Sequence, residues 1–110
     1  MIKYEGGDMS KIDHIAILVK SMNNSLKKLS AFGFYQGEIN TFQSEGTKEV
    51  YLGREDQSAR LLLIEAVSEG PYMKACQKRG TGLHHIAINV SSFDDYLKTL
   101  EGSGWYLHLH

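Results

Sequence analysis

The sequence predicts a mixed α+β fold made of two tandem βαβββ units, the second shorter than the first. Three observations carry that expectation. His14-Ile15-Ala16-Ile17 recurs as His85-Ile86-Ala87-Ile88, an offset of 71 residues, and from His14 to Phe34 the two copies share 10 identities in 21 ungapped pairs. A repeat at a fixed offset decides architecture before any single motif does. Each copy opens on alternating β-branched residues, the period of a strand, and continues with apolar residues at helical spacing. The residues between the copies hold further strand-like runs separated by glycine and polar stretches.

Ile15, Ile17 and Val19 form one face of the first strand, and Ile86, Ile88 and Val90 repeat it. The other face carries His14, Ala16 and Leu18 in one copy and His85, Ala87 and Asn89 in the other, so two histidines occupy corresponding places. Ser21 and Ser92 read as N-caps, and Asp95 completes a capping box with Ser92. Met22, Leu26 and Leu29, repeated as Phe93, Leu97 and Leu100, mark the buried stripe of a helix that Gly33 and Gly104 end. Tyr35–Ile39, Thr47–Leu52 and Arg60–Glu65 read as three strands. Pro71 to Arg79 reads as a linking helix, with Pro71 in its first turn and Gly80 past its end.

The expected organisation is one domain: a first unit over residues 11–67, a linker over 68–82 and a partial second unit over 83–110. The first unit is 57 residues long and the second 28, too few for a strand, a helix and three more strands. The expectation is therefore that a second copy completes the sheet in a homodimer, or that the natural chain is longer, because uncovered strand edges invite pairing.

The chain of 110 residues has 12 Lys and Arg against 13 Asp and Glu, and this net charge of −1 offers no electrostatic footprint for nucleic acid or an anionic membrane. Its N-terminus has no apolar stretch, so no signal peptide or membrane span is expected. A lone Cys76 makes no internal disulfide, which points to a cytoplasmic protein. On the linking helix it reads as a small buried residue.

Ile12-Asp13-His14-Ile15-Ala16 and Arg79-Gly80-Thr81-Gly82-Leu83-His84-His85-Ile86-Ala87 resemble the vicinal oxygen chelate superfamily, which includes glyoxalase I, and within it most closely the methylmalonyl-CoA epimerases. The resemblance covers nearly all of the chain after Ser10. It implies a glyoxalase-like domain whose units form a cupped, partly open mixed barrel around a divalent metal ion (Zn, Co, Ni, Mn or Mg). His14 and His85 match the two histidine ligands. The family's third ligand, a Glu or Gln, falls at Leu62, which cannot bind a metal, and the fourth belongs to a final strand that the second unit is too short to hold. Glu65 lies on the strand face opposite Leu62, and His84 is expected to face away from His85. Gly46-Thr47-Lys48-Glu49 resembles a segment that supplies an acid/base glutamate, here Glu49.

The implied chemistry is that of an isomerase or lyase acting on a small molecule such as an acyl-CoA thioester. A metal held by imidazoles polarises a carbonyl, and a carboxylate with a raised pKa moves the adjacent proton through an enolate. The alternative is a metal-free cup of the same fold that only binds a small ligand. Without ligand chemistry, the two histidines read as partly buried side chains bonded to their neighbours, and Glu49 as a solvated strand residue. The terminal His108 and His110 share a strand face and read as either a chelating pair or a solvated edge.

Overall fold

The computed structural model describes residues 2–4 and 11–90. They form one open, mixed six-stranded sheet with two helices. In chain order the elements are β1 (Ile2–Tyr4), β2 (Lys11–Val19), α1 (Met22–Leu29), a 3-10 turn (Ser30–Phe32), β3 (Asn40–Phe42), β4 (Thr47–Leu52), β5 (Arg60–Ala66), α2 (Pro71–Arg79) and β6 (Gly82–Val90). The strand order across the sheet is β1-β6-β2-β5-β4-β3. The helix expected from Ser92, the strand from Trp105 and the His108/His110 pair lie outside the described residues.

Alternation along the strands sorts the apolar side chains onto two faces. On one, Val19, Val50, Leu52 and Leu63 are buried beneath Met22, with Ile17, Leu26, Leu29 and Leu61 packed around them. This is the face that α1 covers, with Met22, Leu26 and Leu29 at the spacing of a single helical stripe. On the other, Ala16, Leu18, Leu62 and Ile64 are buried against Tyr51 and against Tyr72, Ala75 and Cys76 of α2. Cys76 is thus a packing residue, as its isolation in the sequence suggests.

Ser21 caps α1 by accepting from the Asn24 amide at 3.2 Å. The first turn of α1 has no acidic residue of its own. Glu65 of β5 supplies the missing charge, its Oε1 accepting from the Met22 amide at 2.8 Å, where a carboxylate also complements the helix dipole. The helix tightens into the 3-10 turn and stops at Gly33, which adopts φ 74°. α2 starts at Pro71 and ends with the Gly80 amide bonded to the Cys76 carbonyl at 2.8 Å.

Two expectations need correction. Tyr35–Ile39 is not a strand: only an isolated bridge joins Gln36 to Leu52, and the third strand of the unit is the short β3, over residues expected to turn. Tyr35 and Ile39 are exposed, so their apolar pattern lacks the buried face that would select an extended pairing. The second correction is β1, which the sequence did not announce. It pairs parallel with β6, opposite Ile88 to Val90.

Candidate active site

The first strands of the two repeats lie side by side and antiparallel. Ile15 pairs with Ile86, His14 with Ala87 and Ala16 with His85. Equivalent positions therefore cross-pair reciprocally about a local twofold through the Ile15–Ile86 pair. Directly paired residues share a sheet face, so His14 and His85 both emerge on the face that α2 covers. Their rings meet edge to face, with centroids 5.5 Å apart. The two histidines singled out in the sequence share one patch.

The regular pairing is broken on both sides of this centre. Between Ile12 and His14 of β2 the partner strand advances by one residue, and between Ala16 and Ile17 it advances by two. Asp13 and His84 are the extra residues of two β-bulges, and a bulge re-aims a side chain that strict alternation would send to the opposite face. Asp13 Oδ2 lies 2.7 Å from His14 Nδ1 although the two are sequence neighbours. His84 does not face away from the site as expected: its Nδ1 lies 2.8 Å from His85 Nδ1, and its ring stacks on Tyr72 of α2 with centroids 4.9 Å apart.

These contacts constrain which ring nitrogen carries a proton. An ionised carboxylate only accepts, so His14 Nδ1 donates to Asp13 and the neutral ring keeps its lone pair on Nε2. A histidine oriented in this way suits proton transfer, and it suits metal ligation equally. In the His84–His85 contact one Nδ1 donates and the other accepts, so the two rings are not both charged while the contact stands.

Across the sheet, Tyr51 of β4 meets the His14 ring edge on, with centroids 5.4 Å apart. Arg60, paired with His14 at the start of β5, lays its guanidinium over the Tyr51 ring, 4.1 Å from the centroid. Ala59, just before it, takes φ 57°, a left-handed conformation that costs a non-glycine residue on the order of 1–2 kcal/mol. Its amide bonds to the Ile12 carbonyl at 2.7 Å, which ties that turn to β2. Glu49 is two residues from Tyr51 and so on the same face. Its Oε2 accepts from the Thr47 hydroxyl at 2.7 Å. The Tyr72 hydroxyl is pushed above the usual tyrosine pKa, first by burial and then by the negative charges of Glu45 and Glu49.

Glu65 lies on the α1 face at its helix-capping post, away from the histidines. Leu62 is buried on the histidine face, paired with Ala16 on one side and Tyr51 on the other. The position that the family resemblance assigns to a third ligand is therefore filled by an isobutyl group. Among the described residues no group of three or more His, Cys, Asp or Glu side chains is gathered to hold a metal ion. Two imidazoles and a leucine are an incomplete donor set, and the described residues alone do not fit a metal centre.

The sequence did not single out Asp13, Tyr51, Tyr72 or Arg60, and it placed His84 facing away from the site. Asp13 and His84 adjoin the repeated histidines, but a bulge leaves no mark in hydrophobic periodicity. Tyr72 and Arg60 reach the site only through helix packing and strand pairing.

Residues 13–109 match the family model of the glyoxalase/bleomycin resistance protein/dioxygenase superfamily. Among solved structures, the chain is similar to a hypothetical protein from Bacillus halodurans C-125, with TM-score 0.71 and 31% identity over 88% of this chain and 70% of that one. It is also similar to a methylmalonyl-CoA epimerase of Streptomyces coelicolor in complex with 2-nitronate-propionyl-CoA, with TM-score 0.71 and 21% identity over 93% and 77% of the two chains. The epimerase of Mycobacterium tuberculosis gives TM-score 0.69 and 23% identity over 90% and 67%. No curated protein matches the chain. No helix among the described residues is long and apolar enough to cross a membrane. The repeat, the cross-paired histidine strands and the match over most of its length agree, and the chain belongs to the glyoxalase/bleomycin resistance protein/dioxygenase superfamily.

Proposed function

We propose that this protein is an isomerase or lyase that forms an enolate from a small carbonyl substrate, an acyl-CoA thioester in the manner of the methylmalonyl-CoA epimerases. The observation that carries the reading is the presence of His14, His85 and Glu49 on one face of the sheet, with the two rings 5.5 Å apart. Glu49 removes the proton next to the thioester carbonyl, and the electron pair moves onto the carbonyl oxygen. His85, with its proton on Nε2 and its Nδ1 accepting from His84, donates to that oxygen as its charge grows. The enolate carbon is planar, and when its other face turns to the protonated Glu49 the proton returns there and gives the epimer. Asp13 holds His14 in one tautomer throughout. The divalent ion that the family resemblance implies has only His14 and His85 to hold it among the residues described, and no step above is routed through it. The same reading gives a cytoplasmic enzyme working as a homodimer.

Leu62 favours a second reading, in which the cup binds a small molecule without transforming it. One experiment separates the two. The protein is incubated with a 2-methylmalonyl thioester in deuterated water, and deuterium at C2 is followed by mass spectrometry. The enzyme reading expects exchange, reduced about 10²–10⁴-fold by Glu49→Gln, the usual worth of a general base. Binding with no exchange establishes the second reading, and full exchange by Glu49→Gln removes Glu49 from the mechanism.

A further inference from the structure

Beside the histidine patch, past Tyr51, the sheet opens into a cleft of about 430 Å³ whose walls include Tyr35, Tyr51, Arg54 and Arg60. Each arginine lies over a tyrosine: Arg60 over Tyr51 at 4.1 Å and Arg54 over Tyr35 at 4.7 Å from the ring centroids. Stacking engages the flat face of a guanidinium and leaves its N–H groups pointing outward in the plane, where they match a carboxylate or phosphate fork. Arg60 Nε is buried and has no hydrogen-bond partner, a state in which protein donors are rarely left. Glu38 and Glu55 also line the cleft. Among the described residues no ion pair joins either of them to an arginine.

The backbone makes room for this arrangement. Gly53 takes φ 114°, and a Cβ placed there would lie 2.9 Å from Arg60 Cγ. Any other residue at position 53 would displace the Arg60 side chain. Tyr51 itself belongs to both regions, touching His14 with its edge and Arg60 with its face.

We propose that this cleft is an anion subsite, in which the outward N–H edges of Arg60 and Arg54 bind an anionic oxygen group, a carboxylate or a phosphate, while the buried Arg60 Nε holds that guanidinium's place beside Tyr51. Its assignment to the far end of the substrate rests on the reading of the histidine patch given above, whereas anion binding itself does not. An acyl-CoA thioester offers both chemistries, a carboxylate on a dicarboxylic acyl group and phosphates on the nucleotide.

The test is a titration of the 15N-labelled protein with malonate and, separately, with inorganic phosphate, following the Arg60 Nε–H resonance by NMR. The expected result is a saturable shift with at least one anion. Response to malonate alone assigns the subsite to a carboxylate, and response to phosphate alone assigns it to a phosphate. Arg60→Lys keeps the charge and loses the fork and Nε, so it should weaken binding roughly tenfold or more, with its melting curve confirming the fold. Glu49→Gln should bind the anion as the parent does, even if it exchanges no proton, which separates failure of this subsite from failure of the catalytic reading. No shift with either anion, or equal affinity in Arg60→Lys, overturns the proposal.

Discussion

Ile15 and Ile86, equivalent residues of the two repeats, pair with each other across β2 and β6. Their pairing places the local twofold of the repeat at the centre of the site, so whatever one copy presents on the shared face the other presents next to it. That is how two residues 71 positions apart in sequence bring their rings to 5.5 Å.

Asp13→Asn tests whether His14 works through its carboxylate partner. The amide no longer fixes the Nδ1 proton, and exchange activity should fall about 10–100-fold, the usual cost of losing such a support. Little should happen to the melting temperature. Undiminished exchange would make the 2.7 Å contact a structural one.

Leu62→Glu restores a donor at the position paired with Ala16 and Tyr51. The variant should bind zinc more tightly than the parent in a direct titration. Its stability without metal should drop, since a carboxylate replaces a buried side chain, and zinc should recover that loss through its preference for the folded state. If zinc neither binds nor stabilises the variant, Leu62 does not border the same space as the histidines.

Glu65 and Glu49 are both half-buried strand glutamates, one bonded to the Met22 amide and the other to the Thr47 hydroxyl, and the proposed function gives a role in proton transfer to Glu49 alone. Glu65→Ala should cost about 1–2 kcal/mol of stability by removing a charged acceptor from the start of α1 while leaving exchange unchanged. Chemical denaturation and the deuterium assay together check this. A large loss of exchange at unchanged stability would reverse the assignment.

Tyr72 gives a pH prediction. Its folded pKa is raised, chiefly by burial and then by Glu45 and Glu49, so at alkaline pH the unfolded chain releases this proton first. The folded state then binds more protons than the unfolded one, and stability falls as pH rises from about 10, the ordinary tyrosine value, through the raised value. Below that window the contribution is complete. Denaturation midpoints across alkaline pH should decline less steeply in Tyr72→Phe than in the parent, and parallel declines would contradict the placement of the hydroxyl.

Much of this protein is legible in its sequence because the signals are local or repeated. Alternating β-branched residues fix β2 and β6, and helical spacing with Ser21 and Gly33 fixes α1. Pro71 and Gly80 bracket α2, and the doubled His-Ile-Ala-Ile identifies the two residues that meet at the centre of the sheet. What only the tertiary structure decided are relationships that no local pattern encodes. The two bulges admit one extra residue each into the β2–β6 pairing, and so turn Asp13 and His84 toward the site against the rule of alternation. The short β3 replaces the expected strand at Tyr35 because pairing depends on the neighbouring edge and on burial, and those exposed residues find neither. Tyr51, Tyr72 and Arg60 come from three separate elements, and their convergence on the histidines follows from strand order and the docking of α2. Packing creates these relations across the sheet, at distances in sequence where a single chain read in order carries no record of what will lie beside what.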